Sequence, residues 1–131
     1  MAILKTIVTC CGLMILLSFA AIKAHGQMPP LSDRDKGSSL FQQCKADIRV
    51  TDSAAESDAD RYSALQCVGY LQGFTDAYAL VTEPRFCLGD ASFGTLARVY
   101  VKYMEDNPKY MDMHRGIGFM EALKNAYPCQ K

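Results

Sequence analysis

The chain has 131 residues, 14 basic and 14 acidic side chains, a formal net charge of zero, six cysteines and two histidines. That length suits one compact domain. The balanced charge, with no basic run, makes nucleic acid and anionic membrane surfaces poor partners, and so few histidines leave little from which to build a Ser-His or Cys-His nucleophile pair.

The N-terminus reads as an export signal. Lys5 supplies its positive front and residues 7–22 an apolar stretch that is short for a bilayer span. Ala24-His25-Gly26 is a small-residue cleavage site that leaves Gln27 as the new N-terminus. Cys10 and Cys11 lie at the front of the apolar stretch and leave with it. Lys5 and Lys23 go too, so 12 of the 14 basic residues face 14 acidic ones, a net charge of −2. The expected organisation is a signal over 1–26, a flexible leader over 27–36 broken by Pro29-Pro30, and an ordered domain over 37–131. The four cysteines left, Cys44, Cys67, Cys87 and Cys129, form an even set in a short exported domain, which reads as a disulfide framework.

Ser38 or Ser39 caps a short first helix carrying Leu40, Phe41 and Cys44. Residues 47–60 turn acidic and small, without apolar periodicity, and read as a solvated loop. Cys67, Leu71, Phe74, Tyr78 and Val81 then step by three and four along one face of a helix over about 62–81. Gly69 and Gly73 share an edge of it and are read as close core packing in preference to a dimer seam. Glu83-Pro84 and Gly89-Asp90 break the chain around Phe86-Cys87-Leu88, giving a loop tied down in its middle. Ser92 caps a third helix with Leu96, Val99, Tyr100 and Tyr103 on its buried stripe, ended by Asn107-Pro108. A fourth helix starts just after that proline, with Met113, Ile117, Met120, Leu123 and Tyr127 as its stripe, and stops at Pro128. No strand-like alternation appears. The fold class is therefore all-α, a small four-helix (or five-helix) antiparallel bundle with two disulfides.

Four cysteines allow three pairings. Antiparallel hairpins bring Cys44 near Cys67 and Cys87 near Cys129, and the loop-entropy model assigns those bridges about 3.4 and about 4 kcal/mol.

Cys67-Val-Gly-Tyr-Leu-Gln-Gly73, Phe86-Cys87, the run from Leu96 to Pro108 and Ala122-Leu-Lys-Asn-Ala-Tyr-Pro-Cys129 together resemble the Rap/Tai family of immunity proteins, over about residues 40–129. The resemblance implies an exported all-α protein that binds and blocks a secreted peptidoglycan amidase effector of type VI secretion in the periplasm, commonly as a homodimer. It implies no enzymatic activity. An alternative of another class is a periplasmic helical stress protein that holds unfolded clients like a chaperone, without an amidase partner.

The expected partner surface is the tethered loop over 82–92 with the adjoining helix end. Glu83, Arg85, Phe86 and Asp90 are its candidate contacts; Phe86 has the competing reading of a core residue. Met111-Asp112-Met113-His114 looks like a copper-binding string, but on a helix Met113 turns about 200° away from Met111, so no metal and no cofactor is expected. The pairs Asp58 and Asp60, and Glu105 and Asp106, sit in water at a loop and a helix end, so no catalytic residue is assigned.

Overall fold

The computed structural model describes residues 31–52, 57–81 and 83–129. The export signal read over 1–26, most of the leader after it, and Thr82 lie outside the described residues. Four α-helices carry the fold: α1 (Gly37–Asp52), α2 (Asp58–Tyr78), α3 (Phe93–Asp106) and α4 (Arg115–Ala126), with 3-10 turns at Asp33–Asp35 and Pro108–Tyr110. There is no strand among the described residues, only an isolated bridge between Lys36 and His114. Among the described residues the class is all-α with four helices.

α1 and α2 form an antiparallel hairpin. Moving along α1, Gln43 bonds Gln66, Cys44 joins Cys67, and Arg49 pairs with Asp60. The Cys44–Cys67 bond spans a Cα separation of 5.0 Å. The described part of the stretch read as an acidic loop is largely helical, residues 53–56 lying outside the described residues: α1 runs on through Asp52, and α2 opens at Asp58 behind Ser57, whose hydroxyl accepts from the Asp60 N–H. Two of the acids find cations. A hydrogen bond from Arg49 holds the Asp60 carboxyl below the usual carboxylate range, and one from Arg98 does the same for Asp52. Asp47 is instead buried, and burial pushes its carboxyl up.

α3 starts as expected, with the Ser92 hydroxyl accepting from the Thr95 N–H. Its buried stripe is Leu96, Ala97, Tyr100, Val101 and Met104, one position from the expected one, because Val99 and Tyr103 are only half-buried. α4 departs further. Pro108 opens a 3-10 turn instead of the helix, and the chain turns through residues 111–113 before His114 caps α4, its Nδ1 accepting from the Gly116 N–H at 3.2 Å. The register follows that later start. Gly118, Phe119, Ala122 and Leu123 are buried, whereas Met113 and Ile117 are 41% and 47% exposed.

These faces meet around Tyr100 and Phe119, both fully buried and set edge to face with ring centroids 5.7 Å apart. Leu40, Leu71, Leu96, Met104 and Leu123 complete the core, each such side chain stabilising by about 1.5–3 kcal/mol through removal from water. Two glycines permit this closeness. A Cβ on Gly37 would lie 2.3 Å from the Tyr110 carbonyl oxygen, and one on Gly118 2.8 Å from Met104 Sδ. The Gly37 carbonyl in turn accepts the buried Tyr100 hydroxyl at 3.0 Å, and the Gly37 N–H donates to the Met113 carbonyl at 2.8 Å. Gly69 and Gly73 do the opposite of what the spacing suggests: both are exposed, with no atom within 4 Å of a would-be Cβ. They are not core-packing glycines.

Candidate functional site

The segment over 79–92 between α2 and α3, described except for Thr82, is irregular, mostly exposed and held at its centre. Tyr78 closes α2 and organises the start. Its hydroxyl accepts from the Arg85 N–H, and its ring stacks on Phe86 with centroids 4.0 Å apart and planes 14° from parallel. The stack extends a ladder of aromatics along α2, since Phe74 lies parallel to Tyr78 and edge-on to Phe119 at 5.0 Å. Offset or edgewise aromatic pairs of this kind stabilise beyond their buried area. The Cys87 N–H donates to the Tyr127 carbonyl at 2.8 Å, and the Cys87–Cys129 bond, with a Cα separation of 5.0 Å, ties the same point to the C-terminal end. Gly89 then takes a positive φ of 56°, which a side chain would strain, and the Ala91 N–H returns to the Leu88 carbonyl.

The four residues read as partner contacts therefore divide. Glu83, Arg85 and Asp90 are exposed. Phe86 is 4% exposed and belongs to the core cluster; it anchors the loop and is not a surface contact, because the stack on Tyr78 removes its ring from solvent. The structure adds two residues that the sequence pattern hid. Leu80 and Val81 are 85% and 50% exposed, although Val81 falls in step with the buried face of α2. The helix ends at Tyr78, so the period no longer applies three residues on. An exposed apolar pair next to Glu83, Pro84 and Arg85 is the surface composition that partners desolvate.

Elsewhere the chemistry is spare. The string at residues 111–114 forms a turn and a helix cap, with His114 Nδ1 committed to the backbone, and among the described residues no group of three or more His, Cys, Asp or Glu side chains is placed to hold a metal ion. Tyr100 is pushed well above the ordinary phenol range by burial. Tyr103, beside a 590 Å³ groove between α3 and α4, is pushed up to about 12 by burial and by its hydrogen bond with Tyr110. Both phenols stay protonated at neutral pH, which suits structural roles. No described helix is long and apolar enough to cross a membrane.

The family model for Rap1a immunity proteins matches residues 36–129, from the turn before α1 to the last cysteine. The chain belongs to the Rap1a immunity protein family. No curated protein and no solved structure matches it. Membership means that this Rap1a protein binds a partner effector, and its four helices, two disulfide-paired cysteine couples and anchored loop occupy the matched span.

Proposed function

We propose that this immunity protein is exported to the periplasm, loses residues 1–26, and there binds and inhibits a peptidoglycan amidase effector delivered by type VI secretion. The surface it uses is the loop over 79–92. The observation that carries the reading is the loop's combination of exposure and tethering: Leu80, Val81, Glu83, Arg85 and Asp90 reach solvent while Phe86, Cys87 and Leu88 are held by a ring stack, a disulfide and a backbone hydrogen bond. A loop already fixed in shape loses little ordering entropy when it docks. Leu80 and Val81 supply apolar area, and Glu83, Arg85 and Asp90 set orientation and encounter rate. Inhibition needs no reaction by the chain itself, since occupying the amidase cleft suffices. A homodimer is the expected resting assembly.

The test is titration calorimetry of the mature protein against any secreted amidase encoded by a neighbouring gene. The expected result is tight binding that weakens at least tenfold in Leu80→Ser and in the Glu83→Ala, Arg85→Ala, Asp90→Ala triple variant, with unchanged helical circular dichroism. Wild-type affinity in both variants would move the interface off the loop. Absence of binding to any co-encoded amidase would discard the inhibitor reading.

A further inference from the structure

On another part of the surface, a cleft of 810 Å³ opens where the first 3-10 turn, α1, α2 and the start of α4 converge. All nine residues lining it are polar, tyrosines included, and none is aliphatic. Two of its atoms lack partners: Gln43 Oε1 and Arg115 Nε are shielded from water and make no hydrogen bond. Buried polar atoms are nearly always satisfied, so two orphans in one cleft call for an explanation. The Arg115 guanidinium lies over the Tyr70 ring, 4.3 Å from its centroid. Its nearest carboxylate, Asp35, stands 3.7 Å away, beyond hydrogen-bond reach, and accepts a 2.6 Å bond from Ser32 instead. Gln43 donates to Gln66 Oε1 at 3.0 Å, an arrangement that leaves an amide acceptor on Gln43 and an amide donor on Gln66.

We infer that this cleft binds a short peptide-like ligand with a free carboxylate, seated against Arg115 with its amide groups on Gln43 and Gln66. The charge at the mouth supports a single negative group: Arg34 and Arg115 outnumber Asp35 by one. A planar guanidinium fork pairs a carboxylate through two parallel bonds. A phosphate dianion fits less well, because Asp35 repels its second charge. The pair of glutamines matches the one-donor, one-acceptor pattern of a peptide unit, and the 65% exposed Tyr62 offers a ring face to a neighbouring side chain. Arg115 and Gln43 each meet the ligand by turning about their terminal torsions. The site shares no residue with the loop over 79–92, and the inference does not rest on the amidase reading.

The experiment is an NMR titration of the isotope-labelled mature protein, without any effector, using N-acetyl-alanyl-alanine, its C-terminal amide, and inorganic phosphate as probes. The expected result is a saturable shift of the Arg115 Nε–H and of the Gln43 and Gln66 side-chain amides, with the acid binding at least tenfold tighter than the amide and tighter than phosphate. Arg115→Gln abolishes it; Arg34→Gln, on an exposed turn where folding is not at stake, weakens it about threefold. Equal binding of acid and amide, a preference for phosphate, or no shift at tens of millimolar probe would overturn the assignment. So would shifts that follow protein concentration alone, which would make the cleft a contact between two copies of the chain.

Discussion

Cys44 and Cys67 are both 0% exposed within the core, whereas Cys87 is exposed on the anchored loop, and this asymmetry reverses an order that chain entropy alone would set. The two bridges close sequence separations of 23 and 42 residues. Loop entropy assigns them about 3.4 and about 4 kcal/mol, so on that ground removing Cys87–Cys129 costs more. Replacing the buried pair with alanine also deletes two sulfur atoms from filled space, adding about 1 kcal/mol for each cavity. The Cys44→Ala, Cys67→Ala protein is therefore expected to lose about 5 kcal/mol, and the Cys87→Ala, Cys129→Ala protein about 4. A deficit of that size matches the entire stability of many small domains. Urea unfolding followed by circular dichroism measures both. Access to reductant gives a second readout, because thiol exchange needs in-line approach to a sulfur. Brief dithiothreitol treatment followed by alkylation and peptide mapping should label Cys87 and Cys129 first, with helical signal retained. A lower urea midpoint for the Cys87, Cys129 variant, or simultaneous labelling of all four cysteines, would refute the claim that burial outweighs loop length here.

Gly37→Ala forces a methyl group against the Tyr110 carbonyl at 2.3 Å and should lower the melting temperature by more than 10 °C, while Gly73→Ala, in open space within a helix, should gain about 1 kcal/mol, or about 4–8 °C; calorimetry of the two variants checks the contrast. Tyr100→Phe strands the Gly37 carbonyl and should cost about 1–3 kcal/mol in urea unfolding, whereas Tyr62→Phe at the exposed surface should cost little. Asp47 has its carboxyl pushed up by burial, so its ionised form penalises the fold at neutral pH, and the penalty disappears as pH falls through the raised folded value. Asp47→Asn should thus melt higher than wild type at pH 7, with the gain shrinking as pH falls into the carboxylate range; a gain independent of pH would assign the effect to packing. The same pH series should show wild type losing the Asp52–Arg98 and Asp60–Arg49 contributions at low pH, since those carboxyls sit below their usual range.

Local signals read correctly from the chain are those with short-range causes. A serine before an apolar run capped α3, a proline ended it, and the cysteines of the first helix hairpin found each other, though at mid-helix and not at its ends. The disulfide framework and the all-α class were legible because helix periodicity and cysteine parity survive without knowledge of neighbours. The candidate loop was legible in part: its breakers and its cysteine marked it, and Glu83, Arg85 and Asp90 were placed outside. What failed needed the third dimension. The stripe of α4 slipped because the helix begins at Arg115, held there by the docking of residues 111–113 on the start of α1. Val81 kept the period of α2 past the point where the helix stops. Gly69 and Gly73 had the spacing of packing glycines yet face open space, while Gly37, outside any glycine pattern, is the one pressed against a backbone. The cleft at Arg115 left no trace in the sequence, since its residues come from the turn at Asp33–Asp35, α1, α2 and α4. Sequence alone determined the all-α class and the caps and breakers of α3, because those depend on neighbours along the chain; which face of each helix is buried, and which side chains meet across helices, was decided only by the tertiary packing that sets helix ends and register.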